Sequence, residues 1–147
     1  MTDNKMKYYE VENITTEEKE FILSRVYFLK ENIFYHKGLQ GTTIYSFNLM
    51  HDKLIEIIKN HTDIYLIVDL SDVKDKGGQV IRNHISEKFN SIEGLRYIAY
   101  MTGKNRFITS TLRFFMRRLT EIPYSIHSNM DDAYDGIEKF KAQQLLN

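Results

Sequence analysis

Apolar positions in this chain follow two alternating rhythms, and the alternation predicts the fold. The run Asp63-Ile64-Tyr65-Leu66-Ile67-Val68-Asp69-Leu70 is short, rich in β-branched residues and almost continuously apolar, as a strand buried on both faces should be. Before it, Phe47, Met50, Leu54, Ile57 and Ile58 recur mostly at steps of three and four, so Ser46 to Asn60 is expected to form an amphipathic helix. The pattern then repeats. Val80, Ile81, Ile85 and Phe89 predict a helix from Gly78 to Asn90, Gly94 can stop the chain near its end, and Arg96 to Met101 reads as a second buried strand. Phe107, Ile108, Leu112, Phe115, Met116 and Leu119 give the strongest helical periodicity, with these residues facing inward and Pro123 ending the segment. Tyr124 to His127 predicts a short strand. Asn129 suits a helix N-cap, Asp131 and Asp132 place negative charge in the first turn, and Ala133, Ile137 and Phe140 supply the inner face of a last helix. From Ser46 onward the order is αβαβαβα, whose crossover helices imply mostly parallel strands.

The segment before residue 46 supports two readings. Val26 to Lys30 and Ile33 to Lys37 are aromatic and β-branched stretches separated by Glu31-Asn32, which predicts a tight hairpin. Against this, Thr15 with Glu18 forms a capping-box pattern, and Phe21, Ile22, Arg25 and Phe28 continue at helical spacing. A short helix from Thr16 to about Leu23 running into a strand uses both signals, and Tyr8 to Val11 can add an edge strand. The expected fold is therefore α/β, with a mixed, mostly parallel sheet, an N-terminal hairpin and about four helices.

Composition narrows the class. At 147 residues and 17.5 kDa the chain matches one domain, so residues 1–147 are expected to share one core, with 1–7 as a flexible start. There is no Cys, which excludes disulfides, thiolate metal sites and Cys nucleophiles. Twenty basic residues balance twenty acidic ones, which argues against nucleic acid as a partner. Met1 to Lys7 is polar and no apolar signal segment follows, so a cytoplasmic chain is expected. Apolar runs are far shorter than the roughly 20 residues a membrane span needs.

Three stretches carry a family resemblance: Tyr35-His36-Lys37-Gly38-Leu39 at the end of the hairpin, Leu66-Ile67-Val68-Asp69-Leu70-Ser71-Asp72-Val73, and Ser128-Asn129-Met130-Asp131-Asp132-Ala133-Tyr134-Asp135-Gly136-Ile137. Over about residues 25 to 142 the chain resembles a divergent STAS-like domain, of the anti-sigma-factor antagonist type, a fold also similar to CRAL-TRIO lipid-binding domains. The resemblance implies a mixed sheet with helices and a regulatory, protein-binding role. It also implies a phosphorylatable Ser or Thr after an Asp, at the start of the helix following the central strand, where added charge alters partner affinity. Here Asp75 takes the Asp position, but Lys76 and Gly77 stand where the hydroxyl belongs, which argues against that switch.

The residues themselves suggest where to look. Open α/β sheets bind ligands beyond the carboxyl ends of their strands, which points to Ser71–Gly78, Thr102–Asn105 and His127–Asn129. Asp69, Asp75, Lys76, Gly77 and Gly78 form the candidate loop, where the glycines permit close backbone approach and the next helix start can hold an anion. The three-residue spacing of Asp69, Asp72 and Asp75 fits no calcium loop, so these are read as strand-end and turn carboxylates. Asp69 with Thr102 resembles a phosphorylation receiver, without the early acidic pair or the late Lys that such chemistry requires. Gly77-Gly78-Gln79 matches the tripeptide of peptidyl-tRNA hydrolysing release factors but lacks their basic context.

His36, His51, His61, His84 and His127 are scattered and form no close metal pair, so they are expected at the surface or half-buried. No nucleophile elbow is present. Between Glu93 and Glu121 there is no acid, and Arg106, Arg113 and Arg117 fall at helical spacing as a basic docking stripe opposite the Phe and Leu face. The expectation is a non-enzymatic regulatory or protein-binding module with no catalytic residue, metal or cofactor. Its partner is expected to be a protein, a second copy of the chain being one candidate. The alternative is a carrier or sensor of a lipid or other small apolar ligand.

Overall fold

Local hydrogen bonds set the helix starts. Thr15 Oγ1 accepts from the Glu18 amide at 3.1 Å while Glu18 Oε1 accepts from the Thr15 amide at 3.0 Å, so the capping box opens a helix at Thr16. Thr43 and Ser46 form the same reciprocal pair at 3.2 and 2.9 Å. Ser46 is therefore inside the second helix, whose start lies at Ile44, because Thr43 is the residue whose hydroxyl reaches the third amide. Asn129 caps the last helix by accepting from the Asp132 amide at 2.9 Å.

The computed structural model describes residues 14–75, 77–119 and 121–146, with the side chains of 114–119 outside the description. In chain order the elements are α1 (Thr16–Leu23), β1 (Val26–Lys30), β2 (Ile33–Lys37), α2 (Ile44–Ile58), β3 (Ile64–Asp69), α3 (Gln79–Asn90), β4 (Leu95–Met101), α4 (Arg106–Leu119), β5 (Tyr124–His127) and α5 (Met130–Leu146). The expected α/β order stands, with α1 as a fifth helix. The two readings of the early segment divide at Ser24, whose amide closes back on the Glu20 carbonyl at 2.9 Å. Phe21 and Ile22 thus belong to α1, and Phe28 to the hairpin. Glu31 makes the hairpin turn with φ 54°, and the register shifts between Phe28 and Lys30. The expected strand at Tyr8 to Val11 and the flexible start at 1–7 lie outside the described residues.

The sheet order is β1-β2-β3-β4-β5, antiparallel between the first two strands and parallel for the rest. Each parallel crossover advances one place in the same direction, and right-handed crossovers then put α2, α3 and α4 on one face. That face holds Phe34, Leu66, Val68 and Ile98 against Phe47, Met50, Leu54 and Phe89, with Ile22 of α1 joining them. The other face holds Ile33, Tyr35, Tyr65, Ile67, Tyr97 and Ala99 against Ala133 and Ile137 of α5. Alternate residues of β2 and β3 thus feed two different cores, which is why their sequences are apolar without a break. Full burial of one such Ile or Leu contributes about 1.5–3 kcal/mol. Among the described residues no helix is long and apolar enough to cross a membrane.

Candidate ligand-binding site

The strand order never reverses, so this sheet has no topological switch point and no crevice of the kind seen in doubly wound folds. Space appears instead between the sheet and its helices. A cavity of about 400 Å³ lies on the α2–α4 face toward the carboxyl ends of the strands, walled by Val68, Tyr100, Phe47, Phe89, Ile85 and Leu112 among others. Its size falls in the range of small-molecule sites, and its walls are mainly apolar as such sites are.

Two loops bound it. Residues 38–43 follow β2, and the segment from Val73 to Gly78 follows β3. Gln40 ties them together: its Nε2 donates to Asp75 Oδ2 at 2.9 Å, and its Oε1 accepts from the Lys74 amide at 2.7 Å. Asp75 Oδ1 also accepts from the Gly77 amide at 2.9 Å, closing an Asx turn. Gly77 has φ +69°, a left-handed conformation that favours glycine, and its carbonyl accepts from the Arg82 guanidinium. Gly78 is the N-cap of α3 and provides no side-chain cap. Asp75, Gly77 and Gly78 thus all line the cavity, while Lys76 lies outside the described residues.

Asp69 belongs elsewhere. It is 2% exposed on the opposite face, where Oδ2 accepts from the Tyr35 hydroxyl and Oδ1 from the Ser71 amide at 2.8 Å. Burial, then the bond to Asp69, pushes the Tyr35 hydroxyl pKa well up, so the phenol keeps its proton. Asp69 is a strand-end lock, and grouping it with the loop residues is corrected on that geometry. Thr102 is likewise buried, sharing a 2.8 Å hydrogen bond with Thr109. Asp72 accepts from Arg25 at 3.1 Å and pairs with Lys37 at 3.3 Å, and the Arg25 bond is the main cause holding its carboxyl below the usual range.

The histidines require a second correction. His36 and His51 are 4% and 6% exposed, not superficial, because β2 and α2 both turn these positions into the larger core. His36 lines the cavity with Phe47 and Phe89 beside it, ring centroids 5.7 and 5.5 Å away. Neither of its ring nitrogens has a hydrogen-bond partner among the described residues. Burial pushes its pKa down to about 4, so the ring is neutral near pH 7. The clue in the sequence was position: His36 directly follows the apolar run Ile33-Phe34-Tyr35, one residue out of phase with Tyr35. Tyr100, also missed, lines the same cavity at 4% exposure, and burial raises its pKa. Among the described residues its hydroxyl makes no hydrogen bond.

Arg106 and Arg113 are exposed on α4 and make no ion pair among the described residues; the Arg117 side chain lies outside them. Phe107 does not share the inner face with Ile108. It is 58% exposed against 3%, because neighbouring helix positions lie about 100° apart and only Ile108 turns inward. A second, more open groove of about 550 Å³ runs beside β5 and α5, lined by Ser125, His127, Asp132, Asp135 and Lys139. Ser125 and His127 hydrogen-bond there at 2.5 Å, and burial lowers the His127 pKa. No three His, Asp or Glu side chains among the described residues group as a metal site. A scan against protein-family models finds no match for the chain, and searches among curated proteins and solved structures find none either.

Proposed function

We propose that this chain is a non-enzymatic binding module whose ligand is a small, mainly apolar molecule held between the sheet and helices α2, α3 and α4. One observation carries this reading: the 400 Å³ cavity is built from mainly apolar walls yet contains a buried His with no hydrogen-bond partner among the described residues. Apolar walls gain dispersion contacts from whatever fills the space between them, and an unpaired buried nitrogen costs about 1–3 kcal/mol. A ligand that fills the space and meets the nitrogen recovers both. The STAS-like resemblance, with its similarity to CRAL-TRIO lipid-binding domains, agrees with a carrier or sensor role.

A second reading is the regulatory protein-binding module that the same resemblance implies. It is favoured by α4, which presents Arg106, Arg113 and the exposed Phe107 to solvent. Native mass spectrometry of the chain purified from its natural host separates the two. A bound small molecule, lost when Ile85→Trp fills the cavity, is the result expected here. A spectrum free of any adduct would overturn the ligand reading and leave protein docking as the better account.

A further inference from the structure

Register places two buried polar side chains of the cavity, His36 and Tyr100, in one row. His36 of β2 is opposite Val68 of β3, and Val68 is opposite Tyr100 of β4. All three lie on the α2–α4 face and line the cavity. His36 and Tyr100 are therefore two strand spacings apart, about 10 Å between backbones, with an apolar residue between them. Each is more than nine-tenths buried. The charged groups of the lining, Asp75 and Arg82, belong to the loop and the start of α3, where Gln40 and the Gly77 carbonyl already engage them.

We propose that the ligand is an uncharged molecule with an apolar body and a hydroxyl or carbonyl oxygen toward each end, one meeting His36 and the other Tyr100. This deepens the pocket reading above and rests on it. A phenol O–H donates, and a neutral imidazole offers one donor and one acceptor, so a hydroxyl fits either tautomer of His36. The broad χ2 of His allows the ring to turn a nitrogen toward it. A carboxylate entering between His36 and Tyr100 would lose its hydration, because the cation of the lining, Arg82, sits at the start of α3 with its guanidinium already on the Gly77 carbonyl. The fit is also one of volume: about 30 Å³ per water-sized group gives room for roughly a dozen heavy atoms in the 400 Å³ cavity.

A matched set of bicyclic probes tests this: naphthalene-2,6-diol, 2-naphthol, naphthalene and 2-naphthoate. The chain has no Trp, so probe fluorescence reports binding directly. The diol should bind tightest, each hydroxyl being worth about tenfold over naphthalene, and 2-naphthoate weakest. His36→Phe and Tyr100→Phe should each bring the diol down to the 2-naphthol affinity while leaving naphthalene unchanged. Both variants remove an unsatisfied group, so a melting temperature at or above the parent's is their folding control. If naphthalene binds as tightly as the diol, or the preference survives in both variants, the two-oxygen inference is wrong while the pocket reading stands. If no probe binds, both fall.

Discussion

The two faces of this sheet are covered by different means and finished to different degrees. On the α5 face one helix covers the core, and several polar groups there are partnered: Tyr35 with Asp69, Asp69 with Ser71, Ser125 with His127. Gly136 lets α5 come so close that a Cβ there would lie 2.7 Å from His127 Nε2 and 3.1 Å from Ser125 Oγ. On the other face three crossover helices share the covering, and there the structure leaves a cavity lined by Tyr100 and by His36, whose ring nitrogens have no partner among the described residues. Whereas the opening on the α5 face is the more polar groove beside β5, the apolar cavity and the unpartnered imidazole coincide on the α2–α4 side. Both are costs that folding alone would select against, which is why that side is the one to examine for function.

The largest test of the comparison is a pair of truncations. Ile67→Ala on the tight face should cost about 2–5 kcal/mol, because Ile67 is fully buried and its neighbours cannot collapse. Ile81→Ala, on the cavity wall, should cost about 1 kcal/mol, since Ile81 is only half-buried. Urea unfolding of the two variants measures the difference, and equal losses would mean that the faces are packed alike.

The acid limb of stability distinguishes the faces next. Burial lowers the folded-state pKa of His36 from its ordinary 6.5 to about 4, so the folded chain binds fewer protons than the unfolded one in that interval. Its stabilising contribution is complete above pH 6.5 and is lost as pH falls toward 4, at about 1.4 kcal/mol per pH unit. His36→Phe should therefore flatten the decline between those values relative to the parent. His51, His127 and Asp72, also shifted down, titrate in both proteins and cancel from the difference. Parallel stability curves for parent and variant would show that His36 is not buried neutral.

A glycine pair gives the smallest effects. Gly136→Ala should destabilise by about 1–2 kcal/mol, the contact with the hydrogen-bonded His127 ring outweighing the better helix propensity of Ala. Gly78→Ser, with nothing within 4 Å of its new Cβ, should stabilise by a few tenths of a kcal/mol by giving α3 the cap it lacks. Thermal melts reversing that order would contradict the contrast between a tight and an open face.

Much of the fold was legible along the chain because period and capping are local. The two-faced strand at Tyr65 to Val68, the helix over Phe47 to Ile58 and the capping box at Thr15 each declared themselves within a dozen residues. Phe107 did not, because two adjacent apolar residues leave open which of them the tertiary packing turns inward. The loop holding Asp75, Gly77 and Gly78 was found from its turn chemistry and does line the cavity, whereas Asp69, six residues earlier, points through to the other face.

What the sequence determined by itself was the set of elements and their alternation, since each depends on residues a few steps apart. What only the tertiary structure decided was the meeting of His36 with Tyr100 across Val68. Those residues are brought together by a strand register that two crossover helices establish, and no local pattern encodes the distance between them. The same register decides which buried polar groups find partners and which face the cavity.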